Sequence, residues 1–412
     1  MPLDVVETLC DLVRLPSVNP MGREVRGDEY FEYRVTDYLQ ALFERLGWPW
    51  QRQTIAARRD NIVARLDGEI PPEEGGAILM YEAHQDTVPV DGMTIPPWTP
   101  EIRDGRVLGR GSCDIKGGMA CMLAALSRLA EERPAGRPTV VLACSVNEEH
   151  GFTGALRLGE LWSGPSRFLP RPPDAAIVAE PTSLDVVVAH KGVVRWQCHT
   201  RGRAAHSSQP ELGENAIYRM ADVLEMLELY AREVVPTLAR HPLLGQPTLS
   251  VGRIFGGVSI NTVPDRCTIE IDRRVVPGED PHAAREHAVQ TVAGMLSHDP
   301  LVEHDPPLLV SPGLSDELSQ ALAAQLSETI RRCGAPGRCV GVPYGTDAPA
   351  FAAAGIPTVI FGPGSIEQAH TADEWVAIEQ LRAATEILFR FAGGDGGGGS
   401  VRGGAGQPSI AK

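Results

Sequence analysis

Apolar residues follow two different rhythms along this chain. GAILMYEA (76–83), PTVVLACSV (138–146) and DAAIVA (174–179) are continuous apolar runs. They are too short and too unbroken for surface helices, which predicts strands buried on both faces. Between the first two, Met119, Met122, Leu123, Leu126 and Leu129 recur at helical spacing. Strand–helix alternation of this kind predicts an α/β fold, with a mixed, largely parallel central sheet flanked by helices. From about residue 188 the period shortens to two: VVRWQCHTRG, QPTLSVGRIFGG and DRCTIEIDRRV alternate apolar and polar positions. Such alternation predicts half-buried antiparallel strands. Helices through Ile217, Met220, Leu224 and Leu227, and over 281–296, are interleaved with them. After about residue 309 the first rhythm returns, with a helix near 314–332 and a strand at PTVIF (357–361).

The expected organisation is a catalytic domain in two segments, 1–187 and 309–392, interrupted by an α+β domain over 188–308. At 412 residues the chain exceeds what one hydrophobic core usually serves. The remainder, 393–412, is glycine-rich and almost without apolar residues, which predicts a disordered tail.

A hydrophobic fraction of 43% and a charged fraction of 22% are ordinary for a soluble globular protein. The formal charge of −15 argues against nucleic acid or an anionic membrane surface as partner. No run approaches the roughly 18 apolar residues that span a bilayer. The start, MPLDVVETLCDLVRL, is broken by Asp4, Glu7 and Asp11 and reads as an amphipathic helix, not a signal peptide. Eight scattered cysteines without a C-x-x-C pair, several inside apolar runs, suit a reducing compartment and predict a cytoplasmic protein.

The candidate chemistry sits at the ends of the apolar runs. His84 follows the first, Glu148 and Glu149 the second, Glu180 the third, and His370 lies beyond PTVIF. In open α/β sheets the carboxyl ends of strands are where sites form. Asp86 can fold back on His84 to fix its tautomer. Asp114 stands in the glycine-flanked turn GRGSCDIKGG (109–118), where an aspartate could bridge two cations. The same turn lacks the phosphate-loop pattern G-x-x-x-x-G-K-[ST]. Adjacent Glu148 and Glu149 can point different ways, one to metal and one to water. Each piece alone also fits a surface pair, a turn or a helix cap. Together, two imidazoles and three carboxylates with a spare carboxylate suit two Zn²⁺-like ions that activate a water; Co²⁺ or Mn²⁺ would be accepted by the same ligands.

In their order, AHQDTVP, GRGSCDIKGG, NEEHG, AEPT, GRAAHSSQPELGENAI, NTVPDRC, IDRRVVPG and GTDAPAFAAAGIPTVIFGPGSIEQAHTADE resemble the M20 metallopeptidase and amidohydrolase family. That group includes acetylornithine deacetylase, succinyl-diaminopimelate desuccinylase, aminoacylase-1 and the bacterial glutamate carboxypeptidase. The resemblance implies a metal-dependent hydrolase cleaving the amide bond of N-acyl amino acids. A dipeptidase or carboxypeptidase with the same two-metal centre is the alternative, and a non-catalytic metal-binding scaffold a reading of another class. It also implies that His84 and Glu180 complete one metal site, that Glu149 and His370 complete the other, and that Asp114 bridges them. Glu148 matches the general acid/base, and Asp86 the aspartate that stands behind the ligand His84. His206 matches a histidine that dimeric members supply from the partner subunit, which implies a homodimer through the inserted domain. Asn261, Arg274 and Gly364 match positions that hold the substrate. Two positions depart from the family pattern: Ala83, beside an unusual Glu82, replaces a glycine, and Asn147 replaces an aspartate.

Overall fold

The computed structural model describes residues 1–164 and 167–393, so the predicted tail from 394 onward lies outside the described residues. Eight strands form one sheet in the order Trp50–Ala56, Arg59–Leu66, Thr139–Cys144, Ile78–Glu82, Ala175–Val178, Thr358–Ile360, Val186–His190, Cys339–Val342. The four central strands run parallel: Ile78 pairs with Thr139, Leu79 with Ala175, and Ala176 with Thr358. Every residue of Ile78–Glu82, Thr139–Cys144 and Ala175–Val178 is buried. This is why these strands read as unbroken apolar runs: helices cover both faces of a parallel sheet. Trp50–Ala56 with Arg59–Leu66, Arg59–Leu66 with Thr139–Cys144, and Thr358–Ile360 with Val186–His190 pair antiparallel, which makes the sheet mixed.

Helix Lys116–Glu132 is buried over most of its length and packs with Val5–Val13 and Ile378–Gly393 in the main core. Asp4 caps the first of these by accepting the N–H groups of Val6 and Glu7, each at 2.9 Å. The helix expected near 314–332 begins only at Gln320. Ser319 is held just before it, its hydroxyl donating to the Thr358 carbonyl at 2.8 Å and accepting the Thr358 N–H at 3.1 Å.

The chain divides into two compact units. Among the described residues the first comprises 1–188, 316–340 and 346–393; the second comprises 189–315 and 341–345. The second unit carries an antiparallel sheet ordered Thr248–Gly256, Arg266–Val275, Gly192–Arg201, Val302–His304. Arg266–Val275 alternates exposed or half-buried with buried residues along its whole length, the period-two signature read from its sequence. Its inward residues Cys267, Ile269 and Ile271 meet Trp196, Met220, Leu227 and Val292, so helices Ala216–Leu229 and Pro281–Met295 share one core with the sheet.

Candidate metal centre

The carboxyl ends of three of the four parallel strands carry acidic or imidazole side chains. Ile78–Glu82 leads into His84 and Asp86, Thr139–Cys144 into Asn147, Glu148 and Glu149, and Ala175–Val178 into Glu180. The structure draws two groups of metal-ligand type from them: His84, Asp114 and Glu180, and Asp114, Glu149 and His370. Within each group the donor atoms lie within 4.8 Å of one another. Asp114 belongs to both, presenting Oδ1 to His84 Nε2 at 3.2 Å and Oδ2 to His370 Nε2 at 3.2 Å. Glu149 Oε2 stands 3.3 Å from His370 Nε2.

Three observations test whether this donor set fits metal ions. Two ligand atoms on one tetrahedral Zn²⁺, each about 2.0–2.1 Å from it, lie roughly 3.3 Å apart, which is the spacing found. His84 Nε2, Asp114 Oδ1 and Glu149 Oε1 are buried and make no hydrogen bond. Such groups are costly to leave unpaired unless something else satisfies them. Charge points the same way, because the buried carboxylates of Asp86, Asp114, Glu148, Glu149 and Glu180 crowd against the buried His84 ring and the half-exposed His370 ring. Burial and the neighbouring carboxylates push Glu148 and Glu180 well above the usual carboxylate range and Glu149 up to about 7. His370, hydrogen-bonded by Asp114 and Glu149, is raised to about 10. Divalent cations would relieve this repulsion, and the residues fit them.

Helix capping is not what these carboxylates do. Helix Thr153–Leu158, after the Glu148–Glu149 pair, has no side-chain cap, and neither has Lys116–Glu132 after Asp114. His84 Nδ1 lies 3.0 Å from the backbone carbonyl of Asp86, with the carboxylate 3.6 Å away. The carbonyl therefore orients the ring. The Asp86 carboxylate instead accepts the backbone N–H groups of Glu148 and Glu149, both at 3.1 Å, and the Asn19 amide at 2.7 Å. Burial opposes its charge, but the His84 ring, Asn19 and Arg59 outweigh that and hold Asp86 at about 2.

Arg59, Glu32, Ser145 and Asp347, which the sequence did not single out, support the centre together with Asn147 and Glu82. Asn147, at φ +64°, accepts from Arg59 and Asn19 and donates its amide to Thr153. Its N–H meets Glu32, which pairs with Arg59 at 3.1 Å and which burial raises to about 8. Behind His84, the Ser145 hydroxyl lies 2.6 Å from Glu82 and 2.8 Å from Asp347. One hydroxyl proton cannot serve two carboxylates at once, and burial raises both, Asp347 to about 7. Gly364, at φ +84°, packs against Cys113, where an added Cβ would come within 2.5 Å of the sulfur.

The remaining candidates belong to the second unit. His206 is exposed on the short strand Ala205–His206 and pairs with Thr262, next to Asn261, whose carbonyl accepts the Ser207 N–H. His206 Nδ1 meets the Ser208 hydroxyl at 2.7 Å and the Ser208 backbone N–H at 3.2 Å. Arg274 is not free: its fork meets Asp272 at 2.7 and 3.2 Å.

Residues 80–393 match the family described as Peptidase family M20/M25/M40. The chain belongs to this family. An acetylornithine deacetylase of Myxococcus xanthus is 33% identical over 377 residues, covering 87% of this chain and 92% of the relative. One from Vibrio cholerae is 31% identical over 407 residues, covering 94% and 97%. Among solved structures, a Staphylococcus aureus tripeptidase superposes with a TM-score of 0.73 at 22% identity, covering 94% of this chain and 98% of that one. An M20 family metallo-carboxypeptidase of Sulfolobus solfataricus gives 0.74 at 18%, covering 95% and 99%. These two share the α/β fold. As an M20 member with such relatives and a fitting donor set, the protein is a metal-dependent amide hydrolase.

Proposed function

We propose that this M20 hydrolase removes the acyl group from an N-acyl amino acid, using two divalent ions, zinc by preference. The observation that carries this reading is Asp114 shared between two ligand groups, with Glu148 buried beside them. The deacetylase relatives support the acyl-amino-acid class. When bound, the ions would supply a water of lowered pKa and polarise the acyl carbonyl. His84, Asp114 and Glu180 would hold one ion, and Asp114, Glu149 and His370 the other. Glu148 takes the proton of the attacking water and returns it to the leaving amine, which could not depart as an anion. Its backbone is held for that task by Asp86. The exposed His206 imidazole is suited to donate to the developing oxyanion. Asn261, Arg274 and Gly364 would bind the substrate, and a substrate carboxylate at Arg274 would have to displace Asp272.

A homodimer would form through the second unit. Thr248–Gly256 is an edge strand with Ile254 and Phe255 exposed. Beside it a groove of about 860 Å³ is lined by Ile217, Tyr218, Val258 and Ile260. A bare apolar edge of this kind pairs with another copy unless it is covered. No helix among the described residues is long and apolar enough to cross a membrane, and all eight cysteines are free, which supports the cytoplasm as location.

Hydrolysis of a panel of N-acetyl-amino acids, N-succinyl-amino acids and dipeptides, by metal-loaded and chelator-stripped protein, tests this function. Metal-dependent release of one acyl class is the expected result. Turnover of dipeptides alone would instead make the protein a peptidase on the same centre.

A further inference from the structure

Glu374 belongs to neither ligand group, yet it is fully buried in the first unit and grips the turn that carries Asp114. Its Oε1 accepts the backbone N–H groups of Cys113 at 2.9 Å and Asp114 at 3.0 Å. Its Oε2 accepts the Gly111 N–H at 3.0 Å and Arg110 Nη1 at 2.7 Å. Arg110 is itself buried and neutralises the carboxylate. Converging backbone N–H groups are a concave site for an anion, and here the anion is supplied by the chain. Charge-assisted bonds of this kind are about twice as strong as neutral ones.

The geometry also joins two ligands mechanically. Glu374 lies four residues beyond His370. Its own carbonyl accepts the Gly109 N–H at 3.0 Å, and Trp375–Ala377 continues by pairing with Arg106–Leu108. The segment bearing His370 and the turn bearing Asp114 are therefore closed on each other by backbone and side chain together. The turn cannot easily hold itself: Gly111 has φ +83°, and a Cβ there would come within 2.9 Å of Thr87.

We propose that Glu374 is a positioning residue, which fixes the Asp114 carboxylate where both ions can share it. The proposal rests on Asp114 as the shared ligand. Glu374→Gln keeps the volume but sets an NH₂ group against two donors in either orientation, Cys113 and Asp114 or Gly111 and Arg110. Glu374→Asp keeps the charge but falls one methylene short of reaching both pairs.

The test is titration of metal-free wild-type, E374Q and E374D protein with Co²⁺, followed by visible absorption, with thermal unfolding of each metal-free form alongside. Outer partners of metal ligands typically set affinity by 10- to 100-fold, so E374Q should bind both ions roughly 10- to 100-fold more weakly, with E374D between it and wild type. Should E374Q fail to fold, E374D carries the comparison. Affinities within threefold of wild type in the folded variants would overturn the proposal and leave Glu374 a purely structural role. Weakening of one ion alone would also overturn it, since that effect would run through His370. A wild-type chain that took up no cobalt would refute the two-metal reading together with this one.

Discussion

Replacing Asp86 by asparagine separates two ways an aspartate can serve a metal centre. Three donors converge on this carboxylate: the Glu148 N–H on Oδ1, and the Glu149 N–H and the Asn19 amide on Oδ2. An asparagine offers one acceptor oxygen. In its best orientation it keeps the Oδ2 pair and turns an NH₂ toward the Glu148 N–H. One hydrogen bond to a charged acceptor is lost, about 1.5–3 kcal/mol, and a buried N–H is left facing a donor, about 1–3 kcal/mol more. The sum, roughly 3–6 kcal/mol, falls on the backbone that aims the general base. At about 1.4 kcal/mol per tenfold, full expression in the transition state would lower kcat by roughly 10²- to 10⁴-fold. The ring of His84 is held by the Asp86 carbonyl, which the substitution retains. Metal content should therefore change far less than kcat. The assay is kcat and KM on the best substrate of the panel, with metal content measured on the same samples. A D86N protein within fivefold of wild-type kcat, or one that simply loses its metal, would refute this account of Asp86.

Glu148→Gln should abolish turnover, by about 10²- to 10⁴-fold, with metal stoichiometry unchanged, because the amide can neither take nor return the proton; an active variant would remove Glu148 from that role. His304 is held down at about 4 by burial and by Arg285 and His199, against weaker opposition from Asp305 and Glu286. On acidification the unfolded chain takes up a proton near pH 6.5 while the folded chain resists until about 4, so stability should fall by up to about 3 kcal/mol across that window. H304Q, which keeps an acceptor for the Trp196 N–H, should flatten the loss in urea unfolding at pH 7 and 4.5. Ile260→Asp, at a fully exposed apolar position, should leave the chain folded and shift sedimentation from dimer to monomer; an unchanged dimer would place the interface elsewhere.

The α/β class and the family were legible from the chain alone, because both are written in local order. Continuous apolar runs ending in His84, Glu148 and Glu180 are a property of neighbouring residues, and burial of a strand on both faces requires such a run. The period-two alternation of Arg266–Val275 is equally local. The start of the helix at Gln320 was less legible, since Ser319 is held by Thr358, 39 positions away.

What supports the centre depends on distances that exist only after folding. Arg59 reaches Asn147 across 88 positions, and Glu374 reaches Asp114 across 260. No window of sequence contains both partners. The same holds for the electrostatics: Glu32, Asp347 and Glu149 are ordinary carboxylates in the sequence, and burial beside like charges is what raises them. Even Asp86, two residues from His84, pairs through its side chain with the distant Glu148 and Glu149 backbone. Periodicity can specify which face of an element is buried. Which polar groups meet in the space so enclosed is decided by packing, because hydrogen bonds and charge interactions act over a few ångströms whatever the separation along the chain.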